Sequence, residues 1–343
     1  GTILPLDGKG TPQSLLVDDG KIQAAGDLDD LRALAKNTRC VNLEGKALLP
    51  AFLDGHSHIT ALAQTLGLAQ LSGCRSIEEI GCRLRDFQKK WKIPAGQWVI
   101  GFGYDQNDLK ERRHPTAADL DAFLSDCPAM VTHTSGHMGA VNSLGLKELG
   151  ITRDTAEPEG GKIGRLEDGC PNGYLEEAAF TNMGSRIPRD PEASLTNLRR
   201  AEEVYFSHGI TTIHEGLARE PEWSLLETAA SKGLLRGDVA AYIDIKDSAG
   251  LLELHREYFG RYKNHLKIAG YKLFLDGSPQ GRTAWVTEPY LNGEPDYRGY
   301  PIYQDNQVLE FLEKAQRENV QIVTHCNGDA AADQLLRCYR KAY

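Results

Sequence analysis

The run Leu49-Pro50-Ala51-Phe52-Leu53-Asp54-Gly55-His56-Ser57-His58 decides how the rest of this 343-residue chain is read. It is an apolar segment that closes on two histidines one residue apart. Side chains of an extended strand repeat every second residue, so His56 and His58 share a face. Two imidazoles at a strand's carboxyl end can hold one divalent metal, and neutral imidazole is a common zinc ligand. A surface strand with two unrelated histidines has the same spacing, so the pair needs support from elsewhere in the chain.

Downstream, strands and helices alternate. A helix through Leu195, Leu198, Ala201 and Val204 precedes the strand Ile210-Thr211-Thr212-Ile213-His214, and a second helix covers 223–230. Strands over 239–243 and 271–275, a helix over 307–318 and a strand over 320–325 follow. Such alternation means βαβ units and a parallel sheet. With 51–58 as the first, five strands are expected. Chemistry at their carboxyl ends is the habit of a (β/α)8 TIM-type barrel, of which five strands cover only part. Tyr343 falls inside the helix after the fifth strand, so the chain is expected to be a truncated copy of something longer.

Two segments flank or interrupt this rhythm. Residues 1–50 read as a small β unit: a hairpin of Leu15-Leu16-Val17 and Lys21-Ile22-Gln23-Ala24-Ala25 about Asp18-Asp19-Gly20, a helix over 27–36 and a strand over 40–43. The abrupt start implies a strand missing upstream. Residues 51–343 form the barrel part, with a Gly- and Pro-rich insertion at about 60–190 that is expected to serve as a lid or pocket wall. Inside it, Ser76-Ile77-Glu78-Glu79 opens a helix whose apolar Ile77, Ile80, Leu84, Phe87 and Trp91 recur at helical spacing. Strands are expected over 98–103 and 129–133.

Composition narrows the function classes. The chain is 41% hydrophobic and 25% charged with a formal net charge of −9, an ordinary balance for a globular enzyme and a poor one for nucleic-acid binding. No apolar run approaches a membrane span, and no secretory signal pattern opens the chain. Seven scattered cysteines without a CxxC pair read as reduced thiols of a cytoplasmic protein. A small-molecule substrate is expected, with no nucleic-acid or membrane partner, and a homo-oligomer stays open.

Two further strand-end residues carry chemistry. Lys272 is a cation inside an apolar strand ahead of Asp276-Gly277-Ser278, and an unpaired buried charge is expensive. It either pairs with Asp276 or Glu215, or its amine is carboxylated by CO2 to become an oxygen ligand. His325 closes the fifth strand before Cys326-Asn327-Gly328-Asp329, a position that favours a ligand role, with Asp329 placed to orient the ring.

The opening run resembles the metal-binding signature of the amidohydrolase superfamily. Gly101-Phe102-Gly103-Tyr104-Asp105-Gln106, Ser135-Gly136-His137-Met138-Gly139-Ala140-Val141-Asn142-Ser143 and Gly209-Ile210-Thr211-Thr212-Ile213-His214 resemble its amidohydrolase-3 branch, related to N-substituted formamide deformylases. So do Lys272-Leu273-Phe274-Leu275-Asp276-Gly277-Ser278, Gly281-Arg282-Thr283-Ala284 and His325-Cys326-Asn327-Gly328-Asp329. The resemblance runs almost the whole chain, with Ala51 in place of the usual glycine. It implies a (β/α)8 barrel with a small β-sandwich, and one or two divalent metals, commonly zinc. His56, His58, a carboxylated Lys272 and His325 would be ligands, with Asp276 and Asp329 behind them. A sixth-strand histidine and a catalytic eighth-strand aspartate have no counterpart in the chain. His137, Arg282, Gln106 and Tyr104 are candidate substrate contacts. The implied reaction is hydrolysis of a non-peptide C–N bond in an amide, formamide or cyclic amide. A deaminase, an ester or lactone hydrolase, or a non-catalytic binding protein on the same scaffold are the alternatives. Scattered carboxylates without a strand-end pair argue against a glycosidase.

Overall fold

The structure, a computed structural model, describes residues 1–343 apart from Lys9, Lys36, Asn37, Ser185, Pro188, Arg189, Gln280, Gly281, Asn292, Gly293 and Glu294. Five strands lie side by side in chain order: β1 (Phe52–Leu53), β2 (Ile210–Ala218), β3 (Asp238–Asp244), β4 (Leu266–Phe274) and β5 (Ile322–His325). Every neighbouring pair is parallel. The helices α1 (Ile59–Leu66), α2 (Pro191–Ser207), α3 (Glu220–Ser231), α4 (Asp305–Arg317) and α5 (Asp329–Ala342) accompany them. This is a parallel half-barrel sheet, open at β1 and β5.

Local sequence accounts for the elements. In α2, Pro191 takes the first turn, where its missing N–H costs nothing, and Asp190 accepts from Glu192 N at 2.9 Å. Leu195, Leu198, Ala201 and Tyr205 then form one buried stripe, and Gly209, at φ +76°, turns the chain into β2. β3 and β4 are mostly apolar, as a sheet covered by helices requires, while β2 also carries Thr211, Thr212, His214 and Glu215. Ile213, Val239, Ala241, Ile243, Ile268 and Leu273 are buried with Trp223, Leu226 and Leu312 in one core. Each of the Val, Leu and Ile side chains contributes about 1.5–3 kcal/mol through burial.

Three expectations are corrected. The strand over 51–58 shrinks to Phe52–Leu53, because Asp54 accepts from His56 N at 3.2 Å and from the Ser57 hydroxyl, bending the backbone out of the ladder. His58 rejoins the sheet through one antiparallel bridge to Glu215. No strand forms over 40–43: Asn42 accepts from Glu44 N at 2.9 Å in a turn, and the strand falls at Ala47–Leu48, parallel to Thr2–Ile3. The fourth strand starts five residues before the expected 271. The hairpin Ser14–Asp18/Lys21–Gly26 stands as read. The helix expected over 27–36 covers Leu28–Leu34, and Lys36 lies outside the described residues.

The insertion is far more ordered than its composition implies. It forms a six-stranded sheet in the order Gly161–Arg165, Pro171–Glu177, Met138–Val141, Ala129–His133, Val99–Tyr104 and Ala69–Gln70. The last three are parallel and joined by the helices Ile77–Trp91 and Ala117–Asp121. Ser76 caps the first of these helices by accepting from Glu79 N at 3.1 Å. Among the described residues no helix is long and apolar enough to cross a membrane.

Candidate active site

The bend after β1 and the carboxyl half of β2 are tied together by two carboxylates. Asp54 accepts from His56 N, from the Ser57 hydroxyl and from His214 N at 3.2 Å, so one side chain sets the entry of both segments. Glu215 is fully buried and spends its oxygens locally. Oε2 accepts from Thr60 N (2.9 Å) and Thr60 Oγ1 (2.7 Å), and Oε1 accepts from Leu217 N (3.1 Å) and lies 3.3 Å from His58 Nδ1. Gly216 follows, and only a residue without a side chain fits there. A Cβ would stand 2.7 Å from His56 Cε1, 2.9 Å from Ser57 O and 3.0 Å from His58 Cε1.

Three imidazoles result, with the His56 ring centroid 5.3 Å from both the His58 and His214 centroids. His214 Nδ1 lies 3.1 Å from the Gly55 carbonyl, which can only accept, so the ring proton sits on Nδ1 and the Nε2 lone pair is free. That Nε2 is buried and has no hydrogen-bond partner. His58 repeats the arrangement with Glu215 in place of the carbonyl. Lys272, only 2% exposed, brings its Nζ to 3.5 Å from His56 Nε2 and lies over the Phe274 ring at 5.0 Å. Burial, then Lys272, lowers the His56 pKa; burial lowers those of His214 and Lys272.

Neither carboxylate expected beside Lys272 reaches it. Asp276, 1% exposed, accepts from Asn327 N (2.8 Å), Trp285 N (3.0 Å) and Gly328 N (2.7 Å), pinning the turn after β5. Among the described residues no ion pair involves Lys272. His325 sits apart from the three imidazoles: its ring packs on Phe274, and its Nε2 is 2.9 Å from Asn327 Nδ2 and 3.8 Å from Asp276 Oδ1. Asp276 and Asn327 therefore flank that ring. Asp329, expected there, instead accepts from Thr287 N at 2.8 Å and from the Thr287 hydroxyl.

Among the described residues no three His, Cys, Asp or Glu side chains stand ready to hold an ion by themselves. The donor chemistry nevertheless fits a divalent cation. His58 and His214 each commit Nδ1 to an oxygen acceptor and leave Nε2 free, the usual second-layer pattern of metal-bound histidine. An amine pushed toward neutrality stands beside them.

The remaining candidates are dispersed. His137 is exposed on a loop of the six-stranded sheet, with Nδ1 3.0 Å from Glu177 Oε2. Arg282, at φ +53°, lines a cleft of about 620 Å³ with Thr287, Tyr290, Leu291 and Asp329; Gly281, from the same motif, is outside the described residues. Tyr104 is wholly buried and bonds His114 Nδ1 at 3.0 Å. Gln106 has a buried Oε1 without a partner. Sequence reasoning named Glu215 only as a partner for Lys272 and passed over His214, Asp54 and Gly216 as site residues. His214-Glu215-Gly216 at the end of an apolar strand was the available signal.

An α/β protein with its imidazoles gathered beside the carboxyl end of a parallel sheet is the class that this geometry defines. Residues 39–343 match the amidohydrolase family (Amidohydro_3), and the chain belongs to that family. It is 28% identical over 343 residues to Protein LONG AFTER FAR-RED 3 of Arabidopsis thaliana, covering 95% of this chain and 57% of that one. It is 25% identical over 346 residues to N-substituted formamide deformylase of Arthrobacter pascens, covering 95% and 62%. The chain thus spans about 60% of the length of these curated relatives. Among solved structures, an uncharacterized metal-dependent hydrolase from Pyrococcus furiosus superposes with a TM-score of 0.75 at 25% identity, over 99% of this chain and 69% of that one.

Proposed function

We propose that the protein is a metal-dependent hydrolase of non-peptide C–N bonds in small molecules: amides, formamides or cyclic amides. The observation that carries this reading is the group of three imidazoles and one buried, carboxylate-free amine around Gly216. His56, His58 and His214 would hold the ion, zinc suiting an imidazole-rich set, and His325, whose Nε2 lies 2.9 Å from Asn327 Nδ2, would be a further donor. A bound divalent ion supplies Lewis acidity toward a carbonyl and lowers the pKa of water toward 7.

The chain's own residues do the rest. Glu215 and the Gly55 carbonyl orient His58 and His214 and fix their tautomers. Asp54 holds the bend that carries His56. Burial lowers the Lys272 pKa, and its amine in the neutral form would add to CO2: a C–N bond would form, one proton would leave, and a carbamate oxygen would replace the amine as donor. The names of the relatives support a C–N bond as target, since one is a formamide deformylase.

Metal analysis of purified protein, with turnover of an amide and formamide panel, tests the proposal. Bound divalent metal and amine release, both lost in His56→Ala and His58→Ala, are expected. Activity unchanged in those variants would sink the metal route, and ammonia from an amino-substituted ring or an alcohol product would move the reaction class to a deaminase or an ester hydrolase. Equilibration with ¹³CO2 should yield a carbamate carbon resonance that disappears in Lys272→Arg.

A further inference from the structure

The bend that carries His56 is held from two sides. On the sheet side the bonds are main-chain: Asp54 N donates to Thr212 O and Gly216 N to Ser57 O, each at 2.8 Å. On the other side stands Tyr205, in the last turn of α2 and 148 residues from Ser57 in the chain. Its ring is 8% exposed and belongs to the main core. Its hydroxyl lies 2.5 Å from Ser57 Oγ.

The direction of that contact follows from counting hydrogens. Among the described residues the other partners of Ser57 Oγ are the Asp54 carboxylate and the His214 carbonyl, the latter at 3.3 Å. Both accept, so the single hydroxyl hydrogen of Ser57 goes to them, and the Tyr205 hydroxyl is the donor to Ser57. The result is a relay. Tyr205 donates to Ser57, and Ser57 donates to Asp54 Oδ2. Asp54 accepts His214 N on that same oxygen and His56 N on the other, each at 3.2 Å. Hydrogen bonds in such a chain strengthen one another. His56 is exposed, so its place depends on these bonds more than on packing.

We propose that Tyr205 is a positioning residue for the imidazole group: from α2 it fixes Ser57 and Asp54, and through them the backbone of His56 and His214. The consequence for metal binding rests on the hydrolase reading, whereas the relay itself does not. Leu195, Leu198 and Ala201, the other apolar members of the buried α2 stripe, have no side-chain polar atom with which to do this.

Two measurements on the full chain test it: hydrogen exchange of the His214 amide in metal-free protein, and zinc affinity by competition with a chromogenic chelator. Tyr205→Phe keeps the ring and removes the donor. It should speed the exchange and weaken zinc binding by about tenfold each. Ser57→Ala should do at least as much, and the double variant should be no worse than Ser57→Ala alone, because bonds in series do not add. Ser57→Thr, which keeps the hydroxyl, should behave as the parent. Tyr271→Phe removes a phenol hydroxyl that donates to Glu318 Oε2 at 2.7 Å and controls for lost stability, with both readouts expected at parental values. Unchanged exchange in Tyr205→Phe, or full additivity in the double variant, would overturn the relay. Faster exchange in Tyr205→Phe with no zinc bound even by the parent would support the relay and sink the metal reading instead.

Discussion

A single methyl group at Gly216 should displace the histidine pair. The added Cβ would stand 2.7 Å from His56 Cε1 and 3.0 Å from His58 Cε1. Carbon atoms in contact settle at about 3.5–4.0 Å, so the His56 ring must retreat by roughly 0.8 Å, the difference between 2.7 and 3.5. Metal–ligand distances tolerate only about 0.2 Å. The backbone offers no easy relief, because Gly216 N donates to Ser57 O at 2.8 Å and Ser57 O is itself 2.9 Å from the new atom. Overpacking of this kind costs about 1–3 kcal/mol. Falling on the metal-bound state, that is about a 5- to 150-fold loss of affinity at 1.4 kcal/mol per decade. Competition against a chromogenic chelator measures the affinity and thermal unfolding measures the stability. Gly250→Ala, where a Cβ meets nothing within 4 Å, is the control. If Gly216→Ala binds metal as tightly as the parent and melts where it melts, the packing argument is refuted.

Glu215→Gln replaces one acceptor oxygen with an amide donor in a buried cluster. It should cost about 2 kcal/mol in urea unfolding and weaken metal binding about 10- to 100-fold through His58. Asn142 is fully buried: it accepts from Ala129 N and Gly145 N, each at 2.8 Å, and donates to the Leu124 and Cys127 carbonyls, each at 2.9 Å. Asn142→Ala should therefore destabilise by about 3 kcal/mol or more, read by chemical denaturation. Arg113, hydrogen-bonded to Asp119 at 2.6 Å, lowers that carboxyl from the usual 3.8 to about 2. A depressed carboxylate stabilises above its unfolded pKa, so this contribution is present above about pH 4 and fades as pH falls toward 2. With solvent screening it amounts to about 1 kcal/mol, and the stability difference between parent and Asp119→Asn should vanish across that window.

Much of this chain declares itself locally. The five parallel strands, the helix Ile77–Trp91 and the hairpin at Ser14–Gly26 each carry a period, a cap or a turn pair within a few residues. The sequence marks His56, His58 and Lys272 as candidates by their place near strand ends, while the ligand role rests on the family resemblance. Of the six-stranded sheet only the strands near 98–103 and 129–133 were legible; the other four are short or rich in glycine, and partners lie up to some 40 residues away, as Glu176 and Met138 do. No local pattern encodes such a pairing.

Residue types and their periodicity determined the succession of parallel strands and marked two imidazoles and a lysine close to their carboxyl ends, since burial alternates with a helix or strand period. Only the tertiary structure decided which groups meet. It took Glu215 and Asp276 away from Lys272, sent Asp329 to Thr287, brought His214 against His56 and left Gly216 as the space between. Those outcomes depend on register between strands that lie more than 150 residues apart in the chain, as the Asp54–His214 hydrogen bond does, and hydrogen-bond partners at that range are chosen by packing.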